Sequence, residues 1–147
     1  MTRFVNSPDG DPSAGPKPDE STRRRPLVLV VEDDDALRET LCEVLEDEGL
    51  RAVGATNGLH ALSLLENLPR PDLIILDLMM PVMNGWEFHE RLKSKEHLST
   101  VPVLLLSAYV QRETHTGPQD VEGALQKPVS VDDLMGWVRR LIARMDR

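Results

Sequence analysis

The sequence has 147 residues, a formal net charge of −8 and a single cysteine, Cys42. The length favours one domain with a core large enough to fold without disulfide bonds or structural metal ions. A single cysteine excludes an intrachain disulfide. The acidic balance disfavours duplex DNA and anionic membranes as partners, because both are polyanions. No apolar stretch approaches the roughly 18 residues of a membrane helix, and residues 1–26 lack the apolar centre of a signal peptide. We therefore expect a cytoplasmic protein with no membrane partner.

The composition changes at residue 27. Residues 1–26 are rich in Pro, Gly, Ser and Asp and contain almost no large apolar side chains. Such a segment cannot offset its ordering entropy by burial, so we expect a disordered N-terminal tail followed by a single domain over 27–147. Three arginines, 23–25, close the tail. We expect them to be solvated, with contact to a nucleic acid or an acidic partner as the alternative.

Apolar segments alternate with helical patterns along the rest of the chain. The predicted strands are 27–31, 51–55, 73–76, 103–106 and 123–126. The predicted helices are 36–48, 59–67, 84–95 and 131–144. This alternation predicts an α/β fold with a doubly wound, five-stranded parallel sheet and helices on both faces. Gly117-Pro118 interrupts the segment before the fifth strand, and because a proline inside a helix costs about 3 kcal/mol, any helix there should be short or irregular.

Polar side chains follow the predicted strands at their carboxyl ends. Glu32 and Asp33 follow the first strand, Asp77 the third, Ser107 the fourth and Lys127 the fifth. In an open α/β sheet ligands bind outside the carboxyl ends of the strands, so these side chains should meet at one edge. Clustered carboxylates repel one another, and a hard divalent cation such as Mg²⁺, which prefers oxygen ligands, would compensate them. The pattern therefore predicts a Mg²⁺ site.

Four ordered segments carry a resemblance to a known family. They read VLVVEDDDALRETL, DLIILDLMMPVMNGWE, VLLLSA and ALQKPVSVDDL. Together they resemble the signature segments of response-regulator receiver domains, over residues 27 to about 144. The resemblance implies a flavodoxin-like strand order, 2-1-3-4-5. It also implies a signalling protein of a two-component system, which catalyses only its own phosphorylation and dephosphorylation.

The resemblance assigns an acidic site around one aspartate. Asp77 matches the phosphoacceptor. Glu32 and Asp33 match the acidic pair that holds Mg²⁺, with Asp33 as the direct ligand, while Asp34 and Asp35 are expected to cap the first helix. Asp77 itself and the backbone carbonyl of Met79 should complete the protein's share of the coordination.

The resemblance also assigns the groups that face the phosphoryl oxygens. Ser107 matches the hydroxyl of the conformational switch, and Lys127 matches the lysine that pairs with the phosphoryl group. The bond before the matching proline is cis in the family, so Lys127-Pro128 is expected to be cis. Gly85 suits a tight turn that would bring its backbone near the site.

The chain departs from the family pattern at the switch. Receivers usually carry Tyr or Phe three residues before the lysine, where this chain has Ala124. The usual switch, in which the hydroxyl residue draws an aromatic ring inward, cannot operate in that form. Tyr109, two residues beyond Ser107, is the nearest substitute, and an exposed loop residue without a role in signalling is the alternative for it.

The expected partners are a histidine kinase, as phosphodonor, and a downstream protein of unknown identity. We expect no DNA binding by the chain itself, because it is acidic and no helix-turn-helix follows the receiver segments. Two other classes of function stay open: a Mg²⁺-dependent phosphohydrolase, against which Met79 argues because such enzymes place an acid there, and a receiver-like fold that is not phosphorylated. We expect all four histidines to be surface residues without metal-ligand spacing: His60, His89, His97 and His115.

Overall fold

The computed structural model of the protein describes residues 24–108 and 121–145. Its strands are β1 (Leu27–Val31), β2 (Arg51–Ala55), β3 (Leu73–Asp77), β4 (Val103–Ser107) and β5 (Gly123–Gln126). They form one parallel sheet in the order β2-β1-β3-β4-β5. The predicted fold class and strand order are confirmed.

Four helices cover the sheet in the described part of the chain. They are α1 (Asp35–Asp47), α2 (Gly58–Leu65), α3 (Gly85–Lys93) and α4 (Val131–Met145). Each predicted helix is present, with ends shifted by at most two residues. The predicted disordered tail covers residues 1–26, of which 1–23 lie outside the described ranges; within 24–26, Arg24 pairs with Asp72 and the Pro26 carbonyl accepts from the Arg51 amide. The predictions of a short helix before β5 and of a role for Tyr109 fall on residues 109–120, also outside those ranges.

The three central strands are buried on both faces, which explains why their sequences are continuous apolar runs rather than alternating ones. Alternate residues of these strands therefore enter two separate cores. One core packs α2 and α3 against the sheet, with Phe88 as its largest wholly buried side chain. The other packs α1 and α4, through Leu45 and Val138, against the opposite face. The sheet is thus packed between two layers of helices, which leave open the edge formed by the C-terminal ends of its strands, the carboxyl edge.

Short polar side chains fix where the first three helices begin. The side chains of Asp34, Asn57 and Asn84 each accept a hydrogen bond from a backbone N–H in the first turn of α1, α2 and α3. Each cap satisfies a donor that has no partner inside the helix. The expected capping of α1 is confirmed for Asp34, whereas Asp35 is the first helical residue and binds Arg38 instead. The caps lie at the edge where the strands end.

One expectation about the histidines is wrong. His89 is buried on the inner side of α3, whereas His60 and His97 are exposed and His115 lies outside the described residues. Its position one residue after Phe88 put it near the helical stripe that packs on the sheet. Lys127-Pro128 is cis, as expected. Among the described residues, no helix is long and apolar enough to cross a membrane.

Candidate functional site

The parallel register brings the predicted polar residues to one level at the carboxyl edge of the sheet. Val31, the last residue of β1, pairs with Leu76, and Asp77 pairs with Leu106. Ser107 in turn pairs with Gln126, the last residue of β5. Glu32, Asp33 and Lys127 each follow within two residues of these paired ends. One edge of the fold therefore gathers the three carboxylates, the hydroxyl and the ammonium.

Three carboxylates converge at this edge. One carboxylate oxygen from each of Glu32, Asp33 and Asp77 lies within 4.8 Å of the other two. Glu32 and Asp77 are buried, while Asp33 is exposed at the rim. No donor in the described part of the chain reaches the buried Oδ2 of Asp77. An all-oxygen cluster with a buried oxygen that lacks a donor suits a hard divalent cation such as Mg²⁺.

Lys127 supplies the positive charge of the site. Its Nζ lies 2.9 Å from Glu32 Oε1 and 3.4 Å from Asp77 Oδ1. The contact with Glu32 is an ion pair rather than a well-aligned hydrogen bond. The ammonium bridges two buried carboxylates, yet its own side chain is about one quarter exposed, so Lys127 can reach a group that binds at the surface.

Burial and repulsion perturb the acid at the centre. The pKa of Asp77 is raised to about 7, first by burial, then by the charge of Glu32 and contact with the Asp33 carboxyl. Lys127 and the Met79 amide act in the opposite direction and do not overcome these effects. Burial alone would lower the pKa of Lys127, but the close contacts with Glu32 and Asp77 and the charges of these carboxylates outweigh burial and raise it. A cation bound beside Asp77 would lower this pKa and favour the ionised carboxylate.

The loop between β3 and α3 wraps closely around Asp77. The Met79 amide donates to Asp77 Oδ1 at 3.2 Å, and the Gly85 amide donates to the Leu78 carbonyl at 2.9 Å. A Cβ at position 85 would lie 2.7 Å from the Asp77 carbonyl oxygen, so only glycine fits there. Val82, at the loop tip, has φ +69° and is 74% exposed. Met79 is also exposed.

The first turn of α1 contributes Arg38, a residue near the site that the sequence did not indicate. Arg38 donates from Nη1 to the Glu32 carbonyl at 2.9 Å and from Nη2 to Asp35 Oδ1 at 2.6 Å. Glu32 Oε2 accepts from the Asp34 amide at 3.0 Å. The spacing of Asp35 and Arg38, three residues apart at a helix start, could have indicated the ion pair but not the bond to the Glu32 carbonyl.

The predicted switch residues lie on β4 and β5. Ser107 is buried at the end of β4, and its carbonyl accepts from the Lys127 amide at 2.9 Å. Ala124 pairs with Leu105 and is partly buried against the core that contains α2 and α3. Ser107 and Lys127 therefore lie at the edge that carries the three carboxylates, whereas Ala124 lies two to three residues back along β5. The Met79 backbone carbonyl stays a predicted ligand.

Comparison with known proteins identifies the family. A family model described as the response regulator receiver domain matches residues 28–139. The DNA-binding dual master transcriptional regulator RpaA of Synechocystis is 33% identical over 124 residues, which are 83% of this chain and 51% of that protein. The chemotaxis regulator CheY4 of Vibrio cholerae is 28% identical, with a TM-score of 0.75, over 80% of this chain and 98% of that chain.

A second solved structure bears on the ligand. The response regulator TrrA of Thermotoga maritima, crystallised in complex with Mg²⁺-BeF, is 29% identical, with a TM-score of 0.69. The alignment covers 79% of this chain and 98% of that one. The chain spans about half the length of the first curated relatives that it matches. The chain belongs to the response-regulator receiver domains, the phospho-receivers of two-component signal transduction.

Proposed function

We propose that Asp77 accepts a phosphoryl group from the phosphohistidine of a kinase. The observation that carries this proposal is the Oδ2 atom of Asp77, which is buried, receives no donor from the described residues and lies within a cluster of oxygen ligands. A native structure rarely leaves such an atom without a partner unless the atom binds or reacts. Asp77 also ends the central strand of the sheet, where ligands of this fold class bind.

The transfer exchanges one bond to phosphorus for another. A carboxylate oxygen of Asp77 forms a bond to phosphorus as the bond between phosphorus and the imidazole nitrogen breaks, and that nitrogen keeps the electron pair. Both the nucleophile and the phosphoryl oxygens are negative, so their repulsion has to be screened. The Lys127 ammonium is proposed to pair with one phosphoryl oxygen, and its distance of 3.4 Å from Asp77 Oδ1 supports this. The Ser107 hydroxyl is proposed to donate to another.

Glu32, Asp33, Asp77 and the Met79 carbonyl would hold Mg²⁺. When bound, this ion supplies positive charge that offsets the three carboxylates and the phosphoryl oxygens. Asp33 is the proposed direct ligand, because it is exposed at the rim, whereas the buried Glu32 is already paired with Lys127. Glu32 would then act by holding both the ammonium and the Asp34 amide in place.

Phosphorylation is proposed to act on partners through β4. A phosphoryl oxygen on Asp77 would give the Ser107 hydroxyl a charge-assisted hydrogen bond and draw it toward the site. Ala124 is too small to fill the space as an aromatic ring would, so the response should remain near residues 107–123. Whether Tyr109 follows Ser107 remains a prediction. Amide shifts with and without beryllofluoride, in the wild type and in Tyr109→Ala, would test it.

The proposed activity is confined to the chain's own phosphorylation state. Met79 occupies the position where aspartyl-nucleophile hydrolases carry a second acid, so rapid turnover of added phosphate esters is not expected. We also propose that the chain does not bind duplex DNA by itself, since its net charge is −8 and would oppose a polyanion. Sequence-specific binding below 1 µM at physiological salt, in order-of-magnitude terms, would contradict this.

The discriminating experiment is incubation with acetyl phosphate in the presence and absence of Mg²⁺. A stoichiometric, hydroxylamine-sensitive label that requires Mg²⁺ and is lost in Asp77→Asn supports the receiver function. Continuous turnover of acetyl phosphate would favour a hydrolase, and no reaction would favour a receiver-like fold that is not phosphorylated. Asp72→Asn is a suitable control, because Asp72 precedes the same strand but pairs with Arg24 away from the site.

A further inference from the structure

The turn that carries Asp33 is fixed from both sides. The peptide group before Asp33 is fixed through its carbonyl, on Glu32, which accepts from Arg38 Nη1 at 2.9 Å. The peptide group after Asp33 is fixed through its amide, on Asp34, which donates to Glu32 Oε2 at 3.0 Å. The backbone on either side of the Asp33 Cα therefore cannot rotate freely, and these two bonds set the direction in which the Asp33 side chain leaves the backbone.

Arg38 is itself held rigidly. Its side chain is only 14% exposed, and its second terminal nitrogen, Nη2, binds the Asp35 carboxylate at 2.6 Å. Its stem crosses strand β2 at Gly54, where an added Cβ would lie 3.0 Å from Arg38 Cδ and 3.1 Å from Cγ. Glycine at this position leaves the space that the stem occupies. A planar guanidinium with a packed stem loses little entropy per hydrogen bond, so it suits this role.

We propose that Arg38 is a positioning residue for the metal site, which orients Asp33 for Mg²⁺ without touching the ion, and that Gly54 is required for it to do so. The inference rests on the proposed function, because it concerns the same Mg²⁺ site. Groups that orient metal ligands in this way affect affinity about 10- to 100-fold when removed. Arg38 reaches Asp33 only through the backbone of Glu32, so we expect its loss to weaken Mg²⁺ binding about tenfold, at the lower end of this range.

The sign of the effect separates positioning from charge. Arg38 is a cation near the site, so its charge alone opposes Mg²⁺, and removing only that charge should tighten Mg²⁺ binding. Loss of the bond to the Glu32 carbonyl should instead weaken binding, because Asp33 is no longer held. A purely structural role would lower the free energy of unfolding and leave the Mg²⁺ affinity of the folded protein unchanged.

The test is calorimetric titration of the whole chain with MgCl₂. Arg38→Met, which retains the stem and loses both donors, should weaken Mg²⁺ binding about tenfold. Arg38→Lys, which retains the positive charge but cannot donate to the Glu32 carbonyl and Asp35 together as the planar guanidinium does, should also weaken Mg²⁺ binding. Gly54→Val should weaken it while leaving Arg38 in the sequence, and the double variant should be no weaker than Arg38→Met alone. Arg139→Met is the matched control, because it removes an exposed ion pair between α4 and Glu48, at the opposite end of α1 from Arg38.

Amide shifts in the metal-free state give a second measurement that is independent of affinity. Arg38→Met and Gly54→Val should shift the amides of Asp33 and Asp34 in the same direction, and Arg139→Met should leave them in place. Unchanged or tighter Mg²⁺ binding in folded Arg38→Met, with normal binding in the wild type, would overturn this inference alone. A wild type that binds no Mg²⁺ would overturn the proposed function and the inference with it.

Discussion

Lys127 and Glu32 form an ion pair of 2.9 Å in which the carboxylate is wholly buried. Removal of the lysine would leave Glu32 and the neighbouring buried Asp77 without their counter-charge. Breaking a buried pair from one side typically costs about 3 to 5 kcal/mol, because the remaining charge stays desolvated. We therefore expect Lys127→Met to lower the free energy of unfolding by about 3 kcal/mol in EDTA, as measured by urea denaturation.

The control for this prediction is a second ion pair of similar length. Arg139 and Glu48 lie 2.7 Å apart, but both side chains are substantially exposed. Exposed pairs contribute roughly 0 to 1 kcal/mol, so Arg139→Met should change little. Adding Glu32→Gln to Lys127→Met should recover part of the loss, because the unpaired charge is then gone. Equal small losses from both lysine and arginine variants would show that the buried pair contributes nothing.

The raised pKa of Asp77 predicts how the metal-free protein responds to pH. Its native pKa is about 7 against an ordinary value of 3.8, so the native state binds more protons than the unfolded state between these values. Stability therefore falls as pH rises from about 4 to about 7 and levels off above that. The pKa of Lys127 is raised above 10.5, so its stabilising contribution is present throughout this range and is lost only at higher pH.

Urea denaturation in EDTA between pH 5 and pH 8 would measure this slope. Asp77→Asn should reduce the slope and raise the stability at pH 8, because the buried negative charge is removed. Mg²⁺ should stabilise the wild type more at pH 8 than at pH 5, since protons compete for the same carboxylates. A wild-type slope that Asp77→Asn leaves intact would mean that another group carries the pH dependence.

Much of the site could be predicted because its residues follow directly from strand ends. Asp77 ends β3 and Ser107 ends β4, and parallel strands place their carboxyl ends at one edge. Once the apolar runs identify the strands, Glu32 and Lys127 are also expected at this edge, because each directly follows a strand in the chain. The capping role of Asp34 is similarly local, since it depends on residues within one helical turn.

The features that could not be predicted depend on contacts between distant segments. The bond from Arg38 to the Glu32 carbonyl needs the exact turn of the backbone, and the space beside Gly54 on β2 is visible only when that strand is in place. His89 is adjacent to the apolar stripe of α3, so its burial depends on how far the helix is rotated about its axis. The positive φ of Val82 contradicts the usual preference of a β-branched residue.

Two glycines should respond to the same substitution with opposite sign. Gly85→Ala would place a Cβ 2.7 Å from the Asp77 carbonyl oxygen and 2.8 Å from the Leu78 Cα, both of which are backbone atoms. The loop around Asp77 would have to move, so we expect a loss of about 2 kcal/mol and slower phosphorylation by acetyl phosphate. Gly136, inside α4, has no atom within 4 Å of an added Cβ.

Gly136→Ala should accordingly stabilise the protein by about 0.5 to 1 kcal/mol, because alanine loses less backbone entropy in a helix. It should leave phosphorylation unchanged, since α4 lies on the other side of the sheet from the loop around Asp77. Urea denaturation and the rate of labelling would be measured on both variants. Equal stability changes at the two positions would show that the close approach at Gly85 does not constrain the loop.

Val82 carries backbone strain that glycine should relieve. It has φ +69° in a tight turn in which the Met83 amide donates to the Pro81 carbonyl at 2.7 Å. A left-handed conformation costs a residue with a Cβ roughly 1 to 2 kcal/mol, and the cost is highest for β-branched side chains. The Val82 side chain is 74% exposed, so its removal loses little packing.

Val82→Gly should therefore raise the free energy of unfolding by about 1 kcal/mol, after the greater entropy of glycine in the unfolded chain is deducted. Val131, also more than half exposed, begins α4 with no positive φ, and Val131→Gly should lower stability by up to about 1 kcal/mol. Urea denaturation in EDTA measures both. If Val82→Gly destabilises the protein as Val131→Gly does, the turn is not strained in solution, and the loop beside Asp77 adopts a different conformation there.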